Sequence, residues 1–120
     1  MWLLAACSES GGRKAPSLVS IMVKESTLVR NILKEIRAQG GWWFKTHGSP
    51  YQMAGLPDIL GVHDGRFVAF EVKVPGKETQ TSPRQEMTMH RIQEAGGVTA
   101  VVSSTHGALG VLSILDKAKE

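Results

Sequence analysis

The sequence holds one cysteine, Cys7, so an intramolecular disulfide is excluded and no ligand spacing for zinc is present. That scarcity points to a reducing, cytoplasmic setting. A long apolar run is also missing. Met1 to Cys7, MWLLAAC, ends in a Leu-Ala-Ala-Cys stretch with the look of a lipoprotein signal, but no positive segment precedes it. The run is too short for a signal core and far too short to span a bilayer, so no membrane association is expected. Charge of one sign is not in large excess. Fourteen basic residues against 11 acidic ones give +3, which is compatible with a polyanionic partner without requiring one. Repeats and low-complexity tracts are absent. The four histidines form no H-x-x-x-H pair, and no serine or cysteine nucleophile is placed beside them. A histidine-based nuclease or a Ser-His hydrolase is therefore poorly supported. His47, His63, His90 and His106 are each expected on the surface or in a loop, with His47 near the site described next.

The 120 residues suffice for one domain with one core. Residues 1–21 are expected to be a disordered tail or a start assigned too early, because Ser8 to Ser20 has linker composition and no periodicity. The domain then begins near Met22 and occupies 22–120. From Lys24 to Gln39, Leu28, Val29, Ile32, Leu33 and Ile36 form a 3.6-residue stripe, and Gly40-Gly41 ends that helix. Trp42 to Thr46 reads as a short strand, and His47 to Gly55 as a loop whose Tyr51 and Gln52 are candidates to touch substrate. Ser82-Pro83-Arg84-Gln85 combines a serine N-cap, a proline at the first helical position and a glutamine three after the cap. A helix follows to Ala95. Val98 to Val102 is a strand buried on both sides. A last helix, capped by Ser103 to His106, covers the sheet with Leu109, Leu112 and Leu115, and Lys117 to Glu120 is a solvated tail. The order helix, strand, strand, strand, helix, strand, helix implies an α/β fold with a mixed sheet.

Gly55 to Lys73, GLPDILGVHDGRFVAFEVK, is the stretch around which the rest is arranged. Asp64-Gly65 between two apolar runs predicts a tight hairpin of Pro57–Val62 and Phe67–Lys73. Antiparallel pairing sets Asp58, near the start of one strand, against Glu71 and Lys73, near the end of the other. Glu71 and Lys73 share a face. Two carboxylates are hard ligands suited to Mg2+, or Mn2+ as its substitute, and the Val72 backbone carbonyl is available as a third oxygen. An ion held there polarises a phosphoryl oxygen and activates water, while Lys73 positions that water and offsets transition-state charge. Metal-dependent phosphodiester hydrolysis is the expected reaction. Glu25 has two readings, an acid favoured at a helix N-terminus or a further acid facing the hairpin's acidic end. Gln85 likewise has two, as a capping residue or as a support for the site. A bland alternative is a same-face Glu71–Lys73 ion pair worth well under ~1 kcal/mol.

Pro57-Asp58 with Glu71-Val72-Lys73 resembles the PD-(D/E)xK nuclease superfamily. Gly55-x-Pro57-Asp58, Ser82-Pro83-x-Gln85 and Ala95-Gly96-Gly97 before a valine-rich strand extend that to a resemblance to the virus-type replication-repair nuclease domain, VRR-NUC, over about Glu25 to Ser104. The resemblance implies a restriction-endonuclease-like αβββαβ core with a C-terminal helix. It implies metal ligation by Asp58 and Glu71, a catalytic role for Lys73, and contributions from Glu25 and Gln85; Glu25, if it faces inward, adds an acid able to hold a second ion or a metal-bound water. The partner implied is DNA, branched or structured, cut by a phage or bacterial enzyme in the (host) cytoplasm during replication, recombination or repair. The first twenty residues match nothing in the pattern, and self-association as a homodimer would supply two active sites for two strands. Lys45, Arg66, Lys77, Arg84 and Arg91, with Tyr51, are the candidate DNA contacts; phosphate contacts among the basic residues would make affinity fall steeply with salt. Two other readings stand beside this one: a non-catalytic nucleic-acid-binding module on the same fold, and a metal-dependent RNase.

Overall fold

A computed structural model of the chain describes residues 2–5, 24–48 and 52–118. Chain order is β1 (Trp2–Ala5), α1 (Glu25–Ala38), β2 (Trp42–Lys45), β3 (Ile59–His63), β4 (Arg66–Val72), α2 (Pro83–Glu94), β5 (Val98–Val102) and α3 (Thr105–Ala118). The strands make one five-stranded sheet in the order β1-β5-β4-β3-β2. β2, β3 and β4 pair antiparallel, whereas β4, β5 and β1 pair parallel, so the sheet is mixed as the element order implies. The core from α1 to α3 is restriction-endonuclease-like, with the C-terminal helix expected from sequence.

Local chemistry explains the hairpin. Asp64 and Gly65 both take positive φ, 51° and 84°, which is the two-residue turn whose twist matches the flanking strands. That turn fixes the register: Ile59 opposes Phe70 and His63 opposes Arg66, which sets Asp58, one residue before β3, against Glu71. The sheet's inner face carries Trp43, Ile59, Val68, Phe70, Val72, Ala100 and Val102. It packs on Leu28, Val29, Ile32 and Ile36 of α1 and on Ala108, Val111, Leu112 and Leu115 of α3. Leu33 and Leu109, expected in these stripes, lie at the margin of that core. Trp43 lies over Gly61, where an added Cβ would collide with the indole and with the Trp42 carbonyl. α2 crosses the other face over β5 and β1, with Met89 buried beneath it.

Three expectations need correction. Residues 2–5 are not part of a tail: they pair in parallel with β5, Trp2 opposite Thr99 through Ala5 opposite Val102. β5 has an otherwise open edge, and four apolar residues suffice to occupy it; residues 6–21 of the expected tail lie outside the described residues. The last helix runs on to Ala118 instead of stopping before Lys117. His63 is 7% exposed and belongs to the inner face, because it continues the alternation of Ile59 and Gly61. Its Nε2 meets Asp116 Oδ1 of α3 at 2.8 Å, and its ring stacks near Trp43. Among the described residues, no helix is long and apolar enough to cross a membrane.

Candidate active site

Three elements bring the site together at the end of β4. Asp58 comes from the loop entering β3, Glu71 and Lys73 from the end of β4, and Gln85 from the first turn of α2. Asp58 Oδ2 accepts the Val72 backbone N–H at 2.8 Å, so the carboxylate is pinned across the β3–β4 gap where the ladder ends. Thr46 holds the same segment from its other side: its N–H donates to the Asp58 carbonyl at 2.9 Å and its hydroxyl to the Pro57 carbonyl at 2.8 Å. Thr46 was not singled out in the sequence; extending the β2–β3 register by one residue finds it.

Gln85 fills both of its proposed parts. Its Oε1 accepts the Ser82 N–H at 2.9 Å while its own N–H donates to Ser82 Oγ at 3.2 Å, a reciprocal cap at the helix start. Its Nε2 simultaneously donates to Glu71 Oε2 at 2.8 Å, and Oε1 also receives Lys73 Nζ at 3.4 Å. Lys73 Nζ stands 3.4 Å from Glu71 Oε2, closing a three-residue network. Gly55 seats the Gly-x-Pro-Asp loop on this helix. Its φ is +81°, and a Cβ there would press on the Arg84 carbonyl, so glycine is needed for both conformation and approach.

Electrostatics set the site apart from an ordinary surface ion pair. Glu71 is 1% exposed, and its Oε1 is buried with no hydrogen-bond partner. Burial first, and the neighbouring Asp58 second, push its pKa up to about 8 despite Lys73. Asp58 is also raised, by burial, against the opposing pull of the Val72 N–H, Lys73 and Lys45. Glu25 is the first residue of α1 and is raised by partial burial and by Asp58, so it is both a helix-end acid and a member of this acidic field. Three carboxyl groups that resist ionising together, one with an orphaned buried oxygen, fit a cation. The oxygen chemistry of Asp58 and Glu71 suits a hard divalent one. Among the described residues no three His, Cys, Asp or Glu side chains gather into a single ligand cluster.

An open cleft of about 300 Å3 adjoins Asp58 and is lined by Lys45, Thr46, His47, Gln52 and Gly55 among others. This places Gln52 and His47 where the loop reading expected them; Tyr51 lies outside the described residues. Lys45, Lys77 and Arg84 are exposed on segments bordering the site, and Arg91 is exposed two turns further along α2. Arg66 is not brought to the acids: it begins β4, at the opposite end of the strand from Glu71.

The mixed sheet, with its acid pair and lysine where β3 begins and β4 ends, defines the restriction-endonuclease-like class of α/β fold. Among solved structures, one titled "VRR_NUC domain" superposes with a TM-score of 0.61 and 24% sequence identity, covering 74% of this chain and 94% of that one. The fold is thus shared with a VRR_NUC domain. No protein-family profile matches the sequence, and neither does any curated protein.

Proposed function

We propose that the chain is a divalent-cation-dependent nuclease hydrolysing phosphodiester bonds in DNA. The observation that carries the proposal is Glu71, a buried acid with one oxygen held by Gln85 and Lys73 and the other unpartnered beside a second raised carboxyl. Asp58 and Glu71, with the Val72 carbonyl, would hold Mg2+, or Mn2+ in its place. A bound ion supplies Lewis-acid polarisation of a phosphoryl oxygen and acidifies water. Lys73, aimed by Gln85, stabilises charge that grows on the phosphoryl oxygens. Glu25 adds negative potential at the rim, which draws in the cation. Lys45, Lys77 and Arg84 border the site on exposed segments and contribute phosphate contacts, so that replacing any one flattens the dependence of log affinity on log salt by about 0.9.

Branched or structured DNA is the substrate in this reading, with a homodimer in the cytoplasm offering one centre to each strand. The fold shared with a VRR_NUC domain supports the nuclease reading on which this rests. The test is incubation of the full chain with labelled linear, flap and four-way DNA and with matched RNA, in Mg2+, Mn2+ or EDTA. Metal-dependent DNA cleavage that EDTA abolishes is expected. A folded sample that cuts no DNA under any condition overturns the proposal, and cleavage confined to RNA moves the activity to an RNase.

A further inference from the structure

The sheet's outer face continues past the acids. In the β3–β4 and β2–β3 registers, Trp42, Val62 and Phe67 form one cross-strand row, and Phe44, Leu60 and Ala69 form the next. Thr46, Asp58 and Glu71 extend the same alternation by one more row. Partners in a row project to the same side of a sheet. The acids therefore lie on the face that carries Phe44 and then Trp42. α2 packs on this face over β5 and β1, Ala69 and Glu71 of β4 are buried there, and Gly97 lies close to both Ile92 and Phe67 at the β4 margin. From the turn end of β4 outward the face is open: Trp42 is 63% exposed, Phe44 37%, and Val62 and Phe67 41% each. The chain has only three tryptophans, three phenylalanines and one tyrosine, so three aromatic rings left on one open face are a large share.

Such rings are costly on a surface without an occupant. Rows in a sheet repeat every two residues, about 6.6–6.8 Å. That is roughly twice the 3.4 Å rise per nucleotide within one strand of a duplex. The Trp42 and Phe44 ring centroids are closer than the row repeat, 5.2 Å apart, which still exceeds that rise, so bases lying on both rings would be unstacked from each other. Trp42 and Phe44 pack against each other, with planes tilted by 49°, and still leave surface open to solvent. Lys45 follows Phe44 and so leaves the strand from the opposite face, in register with Ile59; it is exposed at the cleft beside Asp58. A strand-to-strand pairing of two copies is disfavoured here, because β2 is a four-residue edge ending in a lysine.

We infer that the open outer face of β2 and β3 is a base-stacking platform for unpaired DNA flanking the scissile phosphate, with Trp42 and Phe44 as its stacking residues. This deepens the nuclease reading and rests on it for the position of the phosphate. The platform itself is testable without cleavage. Labelled single-stranded DNA of about 12 nucleotides, within the span such surfaces occupy, and a duplex of the same sequence are titrated by anisotropy in EDTA. Trp42→Ala and Phe44→Ala should each lower the ratio of single-strand to duplex affinity by about five- to tenfold. Trp42→Phe, which keeps a ring, should restore most of it, and Trp42→Leu, equally apolar, should not. Circular dichroism melting controls for folding. An unchanged ratio in both alanine variants overturns the platform, as does full rescue by leucine. Sedimentation in which these variants turn a dimer into a monomer also overturns it and assigns the face to a second copy. Loss of the ratio with no metal-dependent cleavage by the parent would keep the platform and discard the nuclease.

Discussion

Gln85 and Glu71 are joined by a hydrogen bond of 2.8 Å from Nε2 to Oε2, so a capping residue in the first turn of α2 also holds the buried acid of β4. The cap fixes the amide's position through Ser82, and the position of the amide fixes the acid and Lys73. One side chain couples the stability of a helix end to the geometry of a site.

Two substitutions separate those roles. Gln85→Glu keeps an oxygen for the Ser82 N–H, as capping boxes allow, but loses the donor to Glu71 and adds a like charge there. Its melting temperature should stay within a few degrees of the parent, whereas metal-dependent cleavage should fall about 10- to 100-fold, as when a partner that orients a metal ligand is removed. Gln85→Ala should lose activity and also about 1 kcal/mol of stability with the cap. Thermal melts and cleavage rates for both variants check this. Equal loss of stability in the two would refute the division.

The pKa of Glu71 gives a pH dependence with a definite sign. Between the ordinary carboxyl value of 4.5 and about 8 the folded chain keeps a proton that the unfolded chain has released. The folded state binds more protons, so stability without metal should fall as pH rises through that window, by up to about 1.4 kcal/mol per unit. A divalent cation competes with that proton, so Mn2+ should raise the melting temperature more at pH 8 than at pH 5.5. Scanning fluorimetry over this range, with Mn2+ or EDTA, measures both slopes. Stability that rises with pH in EDTA would contradict the burial of Glu71 as a proton-holding acid.

Much of this was legible because it is local. Asp64-Gly65 specified the turn, the turn specified the register, and the register placed Asp58 against Glu71. Ser82, Pro83 and Gln85 announced α2. What escaped depends on contacts between distant segments. Trp2–Ala5 resembles a frayed terminus until the open edge of β5 is known. Turn composition puts His63 in the turn with Asp64 and Gly65, whereas it ends β3 and faces inward in alternation with Ile59 and Gly61. The second role of Gln85 needed α2 placed over the outer face, which no periodicity reveals. Spacing leaves open whether Glu25 faces the acids or only ends a helix; it is the first residue of α1, and its carboxyl is raised by partial burial and then by Asp58.

Two glycines make opposite predictions. At Gly61 an added methyl has no room beneath Trp43, so Gly61→Ala should destabilise by about 1–3 kcal/mol. Gly110 lies within α3 with nothing near its absent Cβ. Gly110→Ala should therefore stabilise, by about 0.5–1 kcal/mol, through helix propensity and a less flexible unfolded chain. Urea unfolding of the two variants tests the packing of the sheet on Trp43 independently of any activity.

Asp58→Asn sets function against stability at a single position. Asparagine keeps an oxygen for the Val72 N–H, so the link across the end of the hairpin survives. It removes the negative charge that, after burial, does most to raise Glu71. The pKa of Glu71 should move back toward the ordinary carboxyl range, and the metal-free protein should gain stability at neutral pH, by about 1 kcal/mol or a rise of roughly 4 °C in melting temperature. Loss of a charged ligand should cut metal-dependent cleavage at least about a hundredfold. Mn2+ should then give a smaller thermal shift than in the parent. A variant both less stable and less active would mean that Asp58 serves the fold; one more stable and inactive is the signature of an acid kept for chemistry, at a cost to the metal-free fold.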